Sequence, residues 1–123
     1  IELISIYIIR TIPKNKHKNI AVVCPNGEYH ELGARIVSDV IRKEGYNALF
    51  LGNSLPNSDI INLVKGSDIS AIVFSISNFY SLHQINPVIQ QINELKPNLP
   101  IILGGKAVAS SFDQLIESLK FSL

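Results

Sequence analysis

The chain has 123 residues, 46% hydrophobic and 17% charged, which suits one domain with its own core and excludes a disordered segment. A net charge of +1 gives no electrostatic basis for binding nucleic acid or a membrane surface. The single cysteine, Cys24, excludes an internal disulfide and a cysteine-rich metal site, and suits a reducing, cytoplasmic setting.

The opening IELISIYII is too short to span a bilayer, which takes about 20 apolar residues. Residues 1–12 are apolar nearly all round, so as a helix they would need partners on several sides. They are expected to be the end of an upstream helical element, joined by a basic linker (Lys14, Lys16, His17, Lys18) to the domain proper at 19–123. Methionine is absent even at position 1, so the chain is expected to be a piece of a longer protein.

NIAVVC (19–24) is a continuous apolar run of strand length. Leu32, Ile36, Val37, Val40 and Ile41 then recur at helical spacing, and Gly45 closes the segment. NALFLG (47–52) predicts a second strand, and Pro56-Asn57-Ser58 opens a short helix ending at Gly66. ISAIVFSI (69–76) predicts a third strand. Leu82, Ile85, Val88, Ile89, Ile92 and Leu95 trace one face of a long helix. PIILGG (100–105) is a fourth strand, and Phe112, Leu115, Ile116 and Leu119 mark a last helix.

This alternation predicts an α/β fold: a three-layer, doubly wound, flavodoxin-like parallel sheet in the order 2-1-3-4. Its strands are expected to be apolar on both faces. Ligands of such folds sit outside the carboxyl ends of the strands, where the strand order reverses. Three loops meet there: Pro25 to Gly33, Ser75 to Ser81, and Gly104-Gly105.

These loops lack GxGxxG and GxxxxGK[ST], so neither a dinucleotide nor a P-loop phosphate site is supported. Ser75 stands where a phosphoacceptor domain needs aspartate, and it is not on a glycine elbow as a serine hydrolase requires. His30 with Glu28 and Glu31 falls short of a zinc ligand set, and His83 is expected to face solvent. A metal already held by a macrocycle, however, needs only one axial imidazole, steered by whatever its second nitrogen donates to. Glu28 could be that partner, and Gly33 would let a bulky ligand approach the first helical turn.

Glu28-x-His30-x-x-Gly33, then Ser75, then Gly104-Gly105 resembles the cobalamin-binding domain family, whose pattern is DxHxxG, SxL and GG on these strand ends. The resemblance covers residues 18 to 120 and includes LGNSLPNSDI after the second strand. It implies that His30 replaces dimethylbenzimidazole as the lower cobalt ligand, with Glu28 orienting it. The displaced nucleotide tail would enter between the sheet and the first helix. Ser75 would then bond in the tail pocket, and Gly104 and Gly105 would leave it room. The cofactor would be adenosylcobalamin or methylcobalamin. Two positions depart from the pattern: Glu28 stands for aspartate, and Ser77 replaces the leucine of SxL, giving a more polar pocket wall.

HELGARIVSDV is more similar to the regulator branch of the family, including MerR-type transcription factors. That similarity implies a sensor domain whose partners are an upstream helical bundle, a DNA-binding domain of the same chain and a second copy of the chain, with no membrane. The alternatives are a methyl-carrier corrinoid domain, with catalysis left to partner proteins, and a cofactor-free interaction module. On none of these readings is the domain an enzyme by itself.

Overall fold

The structure, a computed structural model, describes residues 18–105. Four parallel strands form one sheet: β1 (Asn19–Val23), β2 (Asn47–Phe50), β3 (Ala71–Ser75) and β4 (Ile101–Gly104). Their spatial order is β2-β1-β3-β4, the expected doubly wound arrangement. Three helices alternate with them: α1 (Leu32–Lys43), α2 (Asn57–Gly66) and α3 (Phe79–Leu95). The expected upstream helical segment, residues 14–17 of the linker and the last helix lie outside the described residues.

Period-two alternation sorts the strand side chains into two cores. On one face Ile20, Val22, Ala71, Val73 and Ile102 pack with Ala34, Val37 and Ile41 of α1. On the other face Ala21, Val23, Ile72, Phe74 and Leu103 pack with Ile60 and Val64 of α2 and with Leu82, Ile85, Val88, Ile89 and Ile92 of α3. The central strands are therefore buried on both sides. β2 is not: Asn47 and Leu49 are exposed while Ala48 and Phe50 pack inward. This departs from the expectation for all four strands, because β2 lies at the sheet edge and pairs on one side only.

Two element boundaries also shift. β2 ends at Phe50, before the left-handed Gly52. α3 begins at Phe79, three residues before the first member of its apolar stripe, because the Asn78 side chain accepts a 2.8 Å hydrogen bond from the Ser81 amide and caps the helix. Among the described residues no helix is long and apolar enough to cross a membrane.

Cys24 follows β1 and is fully buried. Burial, and then the carboxylates of Glu28 and Glu31, push its thiol up to about 11. At pH 7 only about one thiol in 10,000 is then ionised. Iodoacetamide should alkylate Cys24 at least about 100-fold more slowly in the native chain than in urea, as read by mass spectrometry. Equal rates would mean that the end of β1 opens freely.

Candidate functional site

The β1–α1 loop begins as a tight turn. The Glu28 amide donates to the Pro25 carbonyl at 2.9 Å, with Gly27 at φ +91° in the third position, where a left-handed residue is required. A side chain on Gly27 would also press on the first turn of α3, since its Cβ would stand 3.2 Å from Ser81 Oγ and 3.4 Å from the Tyr80 ring.

Both neighbouring loops are tied to this turn. From the β2–α2 loop, the Ser54 amide donates to the Glu28 carbonyl at 2.7 Å and Ser54 Oγ accepts from the Gly27 amide at 3.1 Å. Asn53 Nδ2 donates to Glu31 Oε1 at 2.7 Å, while Glu31 Oε2 pairs with Arg35 at 3.0 Å. Glu31 is thus a surface hub at the start of α1.

From the β3–α3 loop, three donors converge on the Glu28 carboxylate, which is only 1% exposed. Its Oε1 accepts from the amides of Ser77 at 2.8 Å and Asn78 at 3.0 Å, and its Oε2 accepts from Ser77 Oγ at 2.5 Å. Hydrogen bonds to a charged acceptor contribute about 1.5–3 kcal/mol each, which offsets much of the cost of burying the carboxylate. This corrects the expectation that Glu28 orients His30. No hydrogen bond joins those two side chains among the described residues; the glutamate reaches inward across the sheet end instead. Ser77, expected as a polar pocket wall, spends its hydroxyl on the same carboxylate.

His30 is exposed, and its ring makes no hydrogen bond to any described residue. Tyr29, Leu32 and Tyr80 stand at the same sheet end and are 69%, 72% and 64% exposed. Gly33 sits in the first turn of α1, and a Cβ there would stand 3.6 Å from Ser75 Oγ at the end of β3. The half-buried Ser75 hydroxyl likewise has no hydrogen bond to a described residue, and it lies beside Gly33 of α1. Gly104 is buried in register with Ser75, and Gly105 turns away at φ +113°.

All seven predicted site residues thus lie at one end of the sheet, with His30, Gly33 and Ser75 along the α1 side. His83 is exposed on α3, as expected. Not assigned a role from the sequence were Ser54, although it lies in the LGNSLPNSDI string, and Asn78; each holds the turn through both its backbone amide and its side chain.

A single unencumbered imidazole beside an apolar rim suits a metal that brings its other ligands with it. Among the described residues no group of three His, Cys, Asp or Glu side chains could hold a bare ion. The family model for the B12 binding domain matches residues 18–121. The chain belongs to that family.

Cobalamin is therefore its cofactor, and the site fits it. Among the described residues the His30 ring and the Ser75 hydroxyl beside Gly33 have no hydrogen-bond partner, and Tyr29, Leu32 and Tyr80 offer exposed surface to a macrocycle. Over 105 residues the chain is 28% identical to the methanol–corrinoid protein of Methanosarcina barkeri, covering 81% of this chain and 38% of that protein. Among solved structures it is similar to a cobalamin-binding protein from Desulfitobacterium hafniense DCB-2, with TM-score 0.66, 22% identity and 73% of this chain covered. It is also similar to the monomethylamine corrinoid protein of Methanosarcina barkeri, with TM-score 0.62, 21% identity and 85% of this chain covered. The chain spans 45% and 50% of those two solved chains. These two likenesses establish the shared B12-domain fold.

Proposed function

We propose that this B12 binding domain holds cobalamin base-off, with His30 as the lower cobalt ligand, and serves as the methyl-carrier module of a corrinoid methyltransferase system. The observation that carries the ligand role is the exposed His30 ring, which bonds to no described residue, on a loop pinned from both sides. Cobalamin would supply a cobalt centre able to accept and release a methyl group. The chain supplies the rest: His30 presents its imidazole, and Tyr29, Leu32 and Tyr80 offer apolar surface that sheds water. Ser75 offers a hydroxyl for the nucleotide tail beside Gly33. The carrier role is supported by the relative named for methanol and corrinoid, a methyltransfer setting, at 28% identity.

The Glu28 carboxylate is committed to Ser77 and Asn78 and so is not offered to the reacting centre as an acid or base. Catalysis then falls to partner proteins, which dock on the open face above the loops. The experiment is single-turnover methyl transfer. The full-length protein is reconstituted with cobalamin, reduced, and offered methyl donors together with their methyltransferases. Appearance of the methylcobalamin spectrum on the protein supports the carrier role, and none with any donor overturns it.

A second reading, a sensory domain of a transcriptional regulator in the cytoplasm, is favoured by the similarity of HELGARIVSDV, which leads into α1, to that branch. It calls for an upstream helical bundle, a DNA-binding domain and a dimer or higher oligomer of the chain. Cobalamin-dependent DNA binding by the full-length protein, without methyl turnover, would select it.

A further inference from the structure

We propose that Ser77 is a positioning residue: its hydroxyl latches the Glu28 carboxylate onto the β3–α3 loop and so fixes the loop that presents His30. This rests on the proposed ligation of cobalt by His30.

The latch has three parts. Ser77 Oγ holds Oε2 at 2.5 Å, while the Ser77 and Asn78 amides hold Oε1 at 2.8 and 3.0 Å. The amide bonds are available whatever side chain stands at 77. The hydroxyl bond is not, and it is the one that fixes the carboxylate's rotation. The carboxylate lies two residues before His30 and almost out of water, so its position dictates the path of the backbone leading to the imidazole.

The reverse edge of the same contact is equally well built. The Glu28 carbonyl accepts from the Ser54 amide, so the residue is held at both its backbone and its side chain. With Glu28 fixed and the His30 ring in solvent, the imidazole is presented by loop geometry and not by a carboxylate bonded to its second nitrogen. The two departures from the DxHxxG and SxL patterns then form a single adaptation. A glutamate is one methylene longer than aspartate, and a hydroxyl at 77 is within its reach. Losing Glu28 leaves the Ser77 hydroxyl without its acceptor, and losing the hydroxyl leaves Glu28 Oε2 without its donor.

The test uses the full-length protein with Ser77→Ala, Ser77→Thr, Glu28→Ala and the Ser77→Ala/Glu28→Ala double variant. Hydroxocobalamin reduced to the cobalt(II) form is the probe. Ser77→Ala should weaken binding by about tenfold, in line with one lost charge-assisted hydrogen bond, and Ser77→Thr should restore it. The double variant should bind no more weakly than Glu28→Ala, the mark of a coupled pair. In electron paramagnetic resonance, the bound fraction of each variant should keep the nitrogen coupling of the wild-type complex. A changed coupling in Glu28→Ala with none in Ser77→Ala would overturn the proposal, because Glu28 would then be serving the imidazole directly.

Urea unfolding of the same four variants without cobalamin separates this proposal from the ligation reading. Non-additive losses support the latch and additive losses overturn it, whatever the cofactor does. Failure of the wild-type protein to show nitrogen coupling from His30 would instead overturn the ligation reading alone. Glu28→Gln, which keeps one acceptor oxygen, replaces Glu28→Ala if the alanine variant does not fold.

Discussion

His30→Ala should lose the histidine-on spectrum completely and weaken cobalamin binding by about 100-fold or more, while leaving the fold intact. The size follows from what the residue supplies. Altering a group that merely supports a metal ligand costs about 10–100-fold in affinity, and removing the ligand itself costs at least the upper end. The intact fold follows from exposure: the His30 ring bonds to no described residue, and truncating such a side chain changes stability by about 0.5 kcal/mol or less. Loss of affinity with unchanged urea unfolding therefore isolates ligation from structure. Added free imidazole should recover part of the nitrogen-ligated spectrum, because the variant leaves a hole of imidazole size above the loop. If His30→Ala keeps the wild-type spectrum, another group ligates cobalt and the site has been assigned to the wrong side of α1.

The fold was legible in the sequence wherever hydrophobic period alone decides structure. Central parallel strands buried on both faces give unbroken runs such as AVV and AIVF, and the helices between them give three-and-four spacing. The order β2-β1-β3-β4 is the flavodoxin-like one among the arrangements that right-handed crossovers and alternating elements allow. β2 was less legible because an edge strand is half exposed, so NALF carries a weaker signal.

At the site, the sequence placed the residues at one end of the sheet but did not show their hydrogen-bond partners. His30, Gly33 and Ser75 were singled out by their resemblance to the family pattern, and the structure sets them beside the start of α1. Glu28 was given the wrong partner because proximity along the chain suggested His30, two residues away. Its actual partners, Ser77 and Asn78, lie 49 and 50 residues away and donate mainly through backbone amides, which no residue type encodes. The available signal was the coincidence of the two departures: a longer acid at 28 together with a hydroxyl at 77.

Gly105→Ala should be the most destabilising of the glycine-to-alanine changes, by about 4 kcal/mol or more, enough to unfold much of a domain of ordinary stability. Two costs combine. At φ +113° the backbone occupies a region that L-residues rarely adopt, which costs about 1–3 kcal/mol. A Cβ would also stand 2.3 Å from the Ile76 carbonyl oxygen and 2.9 Å from the Ile76 nitrogen, and this obstacle is backbone. Moving it would break the 2.8 Å hydrogen bond from the Ile76 amide to the Gly104 carbonyl, which holds the end of β4 to the end of β3 beside Ser75.

Two other glycines separate the costs. Gly52 has a similar φ of +84° with nothing within 4 Å of an added Cβ, so Gly52→Ala measures the conformational penalty alone, about 1–2 kcal/mol. Gly66 ends α2 in open space without a positive φ, so Gly66→Ala should be neutral or stabilising by about 0.5 kcal/mol. Urea midpoints in the order Gly66→Ala, Gly52→Ala, Gly105→Ala, highest to lowest, are expected. A Gly105→Ala midpoint equal to that of Gly52→Ala would show that the close approach to Ile76 relaxes at no cost. The turn after β4 would then leave room beside Ser75 for a side chain as readily as for a ligand.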